Sequence, residues 1–394
     1  MLVNLALIII AGLSLYFVFS KLKLPGFLGV LLLGVLFGPY GLDIIHKSIS
    51  DISEELRTFA LIIILLRAGL GIQRETLKFI GVPALKLGVV PALFEGVIIL
   101  AVAVLMLNFS VLEAGMLGFI IAAVSPAVVV PKMLWFIERG IGKSKEIPTM
   151  ILAAASLDDI IAITIFSTFT GIYAGQSVNL FMQAASIPIA VFSGVIAGIL
   201  SAIILLLIFK YFFIRHTKKV LLILSFSILL TYLEDIFKDK FHFASLLGVM
   251  VIGIVILEKN KQLAKELSSK YNKIWVFAEI MLFFLIGAEV NIFLIKDAGL
   301  TGLLIIIIGL AARSLGVALS LAGSTLNLKE KLFCVTSYWP KATVQAAIGA
   351  VPLALGVPAG DIILAFAVLS IVVTAPIGAI SIDITGKFLN RKSD

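Results

Sequence analysis

The sequence has 394 residues, of which 61% are hydrophobic and only 14% are charged. Soluble domains average about a quarter charged residues, so this composition and the mean hydropathy of +1.18 exclude a water-soluble globular protein and indicate several membrane crossings. The net charge of +8 does not indicate nucleic-acid binding, because the basic residues lie between apolar runs rather than in one patch or arm. The single cysteine, Cys334, excludes an intrachain disulfide.

A bilayer crossing needs about 20 apolar residues, and such runs predict an all-α protein with about thirteen transmembrane helices. The predicted spans are 2–20, 25–42, 55–71, 83–107, 112–136, 147–172, 185–213, 219–236, 243–257, 273–294, 299–323, 331–352 and 359–385. The first span lacks a basic leader and a small-residue cleavage site, so we expect it to stay in the protein. The polar stretch from Glu258 to Lys273 is expected to be a surface amphipathic linker.

Lysine and arginine predict the orientation, because cytoplasmic loops carry an excess of them. With thirteen spans, most of the basic residues lie on the side of the C-terminus. This predicts a multi-pass protein of the cytoplasmic (inner) membrane, with the N-terminus outside and the C-terminus in the cytoplasm. The basic residues left inside spans are Arg67, Lys132, Arg313 and Lys341.

The spans also predict an internal repeat within a single transmembrane unit, residues 1–394. Residues 1–180 and 219–394 match as two repeats of about six spans each, and 185–213 is then a linker helix. Matched helices are seven places apart in the order of spans. Because seven is odd, the two repeats would be inverted in the membrane, as in many secondary transporters.

The fifth helix of each predicted repeat is interrupted by proline. The first interruption is in "AAVSPAVVVPKML", at Pro126 and Pro131, and the second is in "SYWPKATVQAAIG", at Pro340. Proline removes one helical hydrogen bond and clashes with the preceding turn. Broken helices at matching positions predict a transport site, although prolines also merely kink membrane helices.

Two neighbouring carboxylates, Asp158 and Asp159, lie near the middle of the sixth span. A charge there costs roughly 2.5–3.5 kcal/mol, so such residues are rare without a function. Neighbours on a helix point about 100° apart, so we expect one to face a water-filled cavity and the other a basic partner. A carboxyl group held close to its titration point takes up either a proton or a hard monovalent cation, which predicts exchange of the two.

The remaining charges in the spans suggest pairs. Lys341 follows the proline of the second break and is expected to pair with Asp158, whereas Lys132 is expected to snorkel to the cytoplasmic end of its helix. Glu95 and Arg313 occupy the fourth span of each repeat and are candidates for a buried ion pair, which would also serve simply to hold two helices together.

Other polar and small residues have weaker signals. Arg67 and Glu289 are expected to cap a helix end or to pair locally. Ser156 lies one turn before Asp159, and with Ser125 it is a candidate oxygen ligand of the cation, although membrane serines often bond their own backbone. Close helix packing is the expected role of the small residues Gly26, Gly29, Gly34 and Gly38.

Absences narrow the function further. The histidines (His46, His216 and His242) form no metal-ligand motif, and no GxxxxGK[ST] phosphate loop occurs. ATP-driven pumping is therefore not expected, and no cofactor besides the transported ions is expected. A cation channel remains an alternative. An intramembrane aspartyl protease fits poorly, because its two aspartates must lie on separate helices and flank one water.

The motifs "SPAVVVP", "SLDDIIAITIF", "LLRAGL" and "WPKATVQAAIG" resemble those of the sodium/proton antiporters of the NHA group, within the monovalent cation/proton antiporter superfamily. The stretch "LPGFLGVLLLGVLFGPYGL" resembles the second-helix pattern of the superfamily more broadly. The likeness runs from the second span to the twelfth.

This resemblance implies an NhaA/NapA-like antiporter fold, in which a core domain that includes 83–172 and 299–385 moves against a dimerisation domain. It implies that Asp159 carries the ion (Na⁺ or Li⁺) and the proton, that Asp158 pairs with Lys341, and that Glu95 pairs with Arg313. In electrogenic relatives the partner of the first aspartate lies instead at a position that resembles Arg313, so the stoichiometry stays open.

The function expected from these observations is exchange of Na⁺ or Li⁺ for H⁺ by an alternating-access homodimer in the lipid bilayer, not an enzyme. A K⁺/H⁺ antiporter of the same fold is the alternative. The chain shows no nucleotide-binding segment after Asp383 like that of many potassium-efflux relatives, which favours sodium or lithium.

Overall fold

The structure is a computed structural model, and it describes residues 2–22, 26–45, 47–71, 74–174, 180–237, 244–290 and 293–389. In these ranges the regular structure is helical, apart from a single isolated bridge residue. The helices are α1 (Leu2–Lys21), α2 (Gly26–Phe37), α3 (Lys47–Ser50), α4 (Ser53–Gly69), α5 (Arg74–Leu107), α6 (Val111–Ala122), α7 (Pro126–Glu138), α8 (Ile147–Tyr173), α9 (Leu180–Tyr211), α10 (His216–Phe237), α11 (Ser245–Lys259), α12 (Lys261–Ala288), α13 (Leu294–Ser320), α14 (Leu328–Ser337), α15 (Thr343–Ile348), α16 (Val351–Ala354) and α17 (Gly360–Gly386), with a short 3-10 helix at Lys143–Lys145.

Nine helical segments in the described residues are long and apolar enough to cross a membrane, and shorter apolar helices lie at Gly26–Phe37 and Thr343–Ala354. Large apolar side chains cover much of the outer surface. Leu105 and Phe192, for example, are 79% and 68% exposed. A surface of this kind suits lipid, so the prediction of an all-helical, multi-pass membrane protein is confirmed in this coarser form.

The stretch from Glu258 to Lys273 is amphipathic, as predicted, but the prediction that it is a linker between spans is wrong. Helix α11 ends at Lys259, helix α12 begins at Lys261, and Asn260 caps α12 by accepting a 2.9 Å hydrogen bond from the Leu263 N–H. Buried residues then recur at helical spacing: Leu263, Ala264, Leu267 and Tyr271. This apolar stripe packs one face of the segment, which therefore continues as helix into the following span.

The chain divides into two compact units. The first comprises Met1–Ser53, Gly81–Leu180 and Phe283–Asp394, and the second comprises Glu54–Ile80 and Phe181–Leu282. In the second unit, Gly194 of α9 packs against the backbone of Ala244, and the Tyr271 hydroxyl donates to the Val220 carbonyl across 3.0 Å. All of the candidate site residues discussed below, except Arg67, lie in the first unit.

Two helix interruptions meet inside the first unit. Residues 123–125 separate α6 from α7, and residues 338–342 separate α14 from α15. The Ser125 N–H donates a 2.8 Å hydrogen bond to the Pro340 carbonyl, so the two interrupted segments are in direct contact. The predicted breaks near Pro126 and Pro340 are confirmed.

Pro131, in contrast, does not break the helix, so the interruption predicted at this residue is wrong. It lies inside α7, whereas Pro126 is the first residue of that helix. Proline is favoured at the first helical position, since its fixed φ suits the helix and the missing N–H has no helical acceptor there. Inside a membrane helix the single lost bond at Pro131 is tolerated when neighbouring groups satisfy the freed carbonyl.

Both interrupted helices begin with a capping box. Ser110 and Glu113 exchange hydrogen bonds at the start of α6, and Asn327 and Glu330 do so at the start of α14. Each glutamate has a further partner: Glu113 accepts from the Ala359 N–H just before α17, and Glu330 forms an ion pair of 2.6 Å with Lys145 just before α8. Each capping box satisfies two N–H groups at its helix start, and the further partner of each glutamate ties that start to a residue just before another helix.

Small residues allow close helix contact within the first unit. A side chain at Gly34 would collide with the Phe284 carbonyl, and one at Gly38 would approach the Ala288 carbonyl to 2.7 Å. Gly26 and Gly29 pack in the same way against the side chains of Tyr16 and Phe19. The expected packing role of these glycines is confirmed.

Candidate functional site

The two aspartates on α8 occupy different environments. Asp158 is fully buried; its Oδ1 accepts a 2.6 Å hydrogen bond from Arg313 Nη2, and its Oδ2 accepts a 2.8 Å hydrogen bond from the Val124 N–H in the first break. Asp159 is partly exposed, and its buried Oδ1 has no hydrogen-bond partner. The helix therefore presents one neutralised carboxylate and one that is available to bind.

Arg313 joins three elements at the centre of the first unit. Besides Asp158, it contacts Glu95 of α5 through a 2.7 Å ion pair and donates to the Ala122 carbonyl at the end of α6. The buried pair of Glu95 and Arg313 that the sequence suggested is confirmed. Its role is wider than a clamp between two helices, because the same guanidinium also neutralises Asp158.

The predicted pairing of Lys341 with Asp158 is wrong. Lys341 Nζ lies 2.6 Å from Glu95 Oε2, and both side chains are fully buried. The lysine immediately follows Pro340, where the backbone is held by the 2.9 Å hydrogen bond from the Lys341 N–H to Thr374 Oγ1. From this anchored position the side chain reaches α5, while Arg313 takes the place beside Asp158.

The four buried charges balance. Glu95 and Asp158 are the carboxylates, Arg313 and Lys341 are the cations, and all are fully buried. An uncompensated buried charge is strongly destabilising, so a balanced set is the stable arrangement. The charge of an ionised Asp159 has no partner within this set and has to be neutralised by something else.

The carbonyl end of half-helix α6 is satisfied by a residue that the sequence analysis missed. Gln345 Nε2 donates across 2.9 Å to the carbonyls of Ile120 and Ala123, while its buried Oε1 has no partner. Helix carboxyl ends carry unsatisfied carbonyls and a partial negative charge. A neutral amide and the Arg313 guanidinium therefore satisfy carbonyls at this helix end, while the Val124 N–H in the first break donates to Asp158.

Two hydroxyl groups near the breaks lack partners. Ser125 Oγ and Thr343 Oγ1 are buried without a hydrogen bond, although Ser125 occupies the cap position before α7. Ser156 is half-buried one turn before Asp159. Val344, next to Thr343, packs with residues of α8 and of the first break. Oxygen atoms of this kind are the ligands that hard cations prefer.

The outer charges form local contacts. Lys132 forms a 2.5 Å ion pair with Asp383 of α17. Glu289 accepts a 2.9 Å hydrogen bond from Ser53 at the start of α4, which confirms a local role. Arg67 lies half-buried in the last turn of α4.

Among the described residues, the one histidine lies outside this site. His216 is paired with Glu266 in the second unit at 2.9 Å, while His46 and His242 lie outside the described residues. Among the described residues, no group of three or more histidine, cysteine, aspartate or glutamate side chains is arranged to hold a resident metal.

Known proteins resemble this chain in sequence and in fold. The family described as "Sodium/hydrogen exchanger, transmembrane" matches residues 5–387. The chain is 33% identical to the human sodium/hydrogen exchanger 9B1 over 388 residues, which cover 94% of this chain and 74% of that protein. It is 32% identical to the mouse sodium/hydrogen exchanger 9B2 over 394 residues, which cover 94% and 69%.

In fold, the chain resembles the sodium proton antiporter MjNhaP1 from Methanocaldococcus jannaschii, with a TM-score of 0.78, 23% identity and coverage of 98% of this chain and 96% of that one. The predicted likeness to sodium/proton antiporters is thus confirmed across nearly the whole chain. The chain belongs to the sodium/hydrogen exchanger family, a family of membrane transporters rather than enzymes.

Proposed function

We propose that this protein exchanges Na⁺ or Li⁺ for H⁺ across the cytoplasmic membrane by alternating access. The observation that carries the proposal is the charge balance beside α8. Glu95, Asp158, Arg313 and Lys341 cancel one another, and Asp159 is left with an unpartnered carboxylate oxygen. A single proton or a single monovalent cation neutralises that carboxylate, and each excludes the other.

The neighbouring oxygen atoms support cation binding. In the proposal, Asp159 is the principal ligand, Ser156 and Ser125 supply hydroxyl oxygens, and Asp158 contributes from its position beside Arg313. A bound cation replaces water with these fixed oxygens, and proton uptake by Asp159 releases the cation. Because the carboxylate is neutral in both loaded states, only a loaded site avoids exposing a bare charge to the membrane interior.

The proposed architecture follows the sequence analysis. It has about thirteen spans in two inverted repeats, residues 1–180 and 219–394, joined by the helix at 185–213. The moving core includes 83–172 and 299–385. The proposed protein is a homodimer surrounded by lipid, with the N-terminus outside and the C-terminus in the cytoplasm, and it needs no cofactor and no nucleic acid.

The experiment uses Asp159→Asn, which keeps the shape of the side chain and removes its charge. We expect this variant to fold and to lose exchange in everted vesicles, where a sodium pulse normally dissipates an imposed proton gradient. Asp361→Asn, at an exposed aspartate in the first turn of α17, is the matched control and should exchange normally. Wild-type rates with Asp159→Asn would refute the assignment of the binding carboxylate.

The same assay separates the alternatives. Pulses of sodium, lithium and potassium, compared in proteoliposomes, distinguish a sodium exchanger from a K⁺/H⁺ antiporter of the same fold. A cation channel would pass the ion without coupled proton movement. A membrane-potential dye in the same vesicles reports whether the exchange is electroneutral.

A further inference from the structure

A buried aromatic side chain lies behind the central arginine. Tyr338, the first residue of the second break, is 0% exposed, and the Arg313 guanidinium carbon lies 5.2 Å from the centre of its ring. A guanidinium within about 6 Å of an aromatic face is attracted by the ring, and the attraction is strongest in desolvated sites. The Tyr338 hydroxyl has no hydrogen-bond partner, so the contact belongs to the ring.

The ring completes the surroundings of the guanidinium. Nη1 faces Glu95 and the Ala122 carbonyl, Nη2 faces Asp158, and Nε has no hydrogen-bond partner. The other charged groups that interact with this cluster are Lys341, which is held by Glu95, and Asp159. Two buried carboxylate oxygens of the group have no hydrogen-bond partner, Asp159 Oδ1 and Glu95 Oε1. Glu95 is held through its Oε2 by both Arg313 and Lys341. Asp159, which directly follows the residue that Arg313 binds, is thus the one of these two carboxylates without an ion pair among the described residues.

We infer that Tyr338 is a positioning residue for the exchange reaction: its ring holds the Arg313 guanidinium on Asp158 and Glu95 and away from Asp159. This inference rests on the proposed function. A guanidinium without the ring behind it is free to turn toward the unpartnered Asp159 carboxylate, where it competes with the transported cation. The ring thus keeps the binding carboxylate available.

The neighbouring residue provides a matched control. Trp339 Nε1 donates a 3.0 Å hydrogen bond to Ser314 Oγ, so it docks the second break on α13 beside the arginine. Trp339→Phe removes this hydrogen bond and leaves the contact between Tyr338 and Arg313. It therefore tests whether docking of the break alone accounts for an effect.

The test measures sodium-dependent proton flux in proteoliposomes with purified variants. Tyr338→Leu should raise the KM for sodium about tenfold, the effect of losing one contact of this kind, while the maximal rate stays within about twofold. Tyr338→Phe keeps the ring and Trp339→Phe keeps the contact, so both should have a wild-type KM. Tyr338→Met replaces the leucine variant if that protein is not recovered folded.

Three results would overturn the inference: a wild-type KM for the leucine or methionine variant, an equal rise for Tyr338→Phe, which would assign the effect to the hydroxyl, or an equal rise for Trp339→Phe. Absence of sodium-dependent flux in the wild-type protein would instead refute the proposed function, and this inference with it. Flux in the wild type with no change in the Tyr338 variants refutes the positioning role alone.

Discussion

Replacing Glu95 with glutamine removes the carboxylate that lies between two buried cations. Glu95 Oε2 is 2.7 Å from Arg313 Nη1 and 2.6 Å from Lys341 Nζ, and all of these side chains are fully buried. Removing one partner of a buried pair typically costs about 3–5 kcal/mol, because it leaves an uncompensated charge. Arg313 keeps Asp158, so the uncompensated charge falls on Lys341.

We expect Glu95→Gln to lower the melting temperature of the detergent-solubilised protein by about 5–10 °C. Adding Lys341→Met should recover most of this loss, because the second change removes the cation that the first one leaves without a partner. Replacing a buried pair by neutral groups is often close to neutral in stability. The melting temperature is measured by size-exclusion chromatography after heating, for both single variants, the double variant and the wild type.

Two results would contradict the compensation between Glu95 and Lys341. If the two changes simply add, so that the double variant is less stable than either single one, the two side chains do not compensate each other. A Glu95→Gln protein that melts with the wild type would show that Glu95 does not carry the charge that balances Lys341.

Two further predictions concern contacts outside the charge cluster. Lys132→Met breaks the pair with Asp383, whose side chain is 44% exposed; since solvent screens such pairs, the melting temperature should change by less than about 2 °C, and a loss above 5 °C would contradict this. Gly34→Ala places a Cβ against the Phe284 carbonyl and should cost about 1–3 kcal/mol of stability, measured as a lower melting temperature. Gly81→Ala is the control, since a Cβ at Gly81 meets open space and should not destabilise the protein. Equal melting temperatures of the two variants would argue against the close packing of α2.

The parts of the fold that the sequence predicts are those set by local chemistry. Apolar runs define most of the spans, and the prolines at 126 and 340 mark the breaks because a residue without an N–H disturbs any helix that contains it. Glu95 and Arg313 were also matched correctly, since charges deep in apolar spans need partners of opposite sign. Each of these inferences uses a property that a short stretch carries by itself.

The errors concern choices between several partners. Asp158 and Glu95 both need a cation, and Arg313 and Lys341 both supply one, so the assignment depends on the distances between three helices and the second break. The role of Gln345 could not be predicted, because an uncharged amide in an apolar run does not require a charged partner. Only its position beside the end of α6 shows which carbonyls it binds. The segment 258–273 was predicted to be a linker between spans, because polar residues outnumber the residues of its apolar stripe.

The hydrogen bond from the Ser125 N–H to the Pro340 carbonyl has a consequence for movement. It joins the residue before Pro126 to Pro340. Neither break can therefore shift its backbone without pulling on the other break. Under the proposed exchange, a backbone movement in the first break is therefore passed to the second break through this one hydrogen bond. Breaking it would leave the Ser125 N–H and the Pro340 carbonyl without partners in a region with little water to replace the bond.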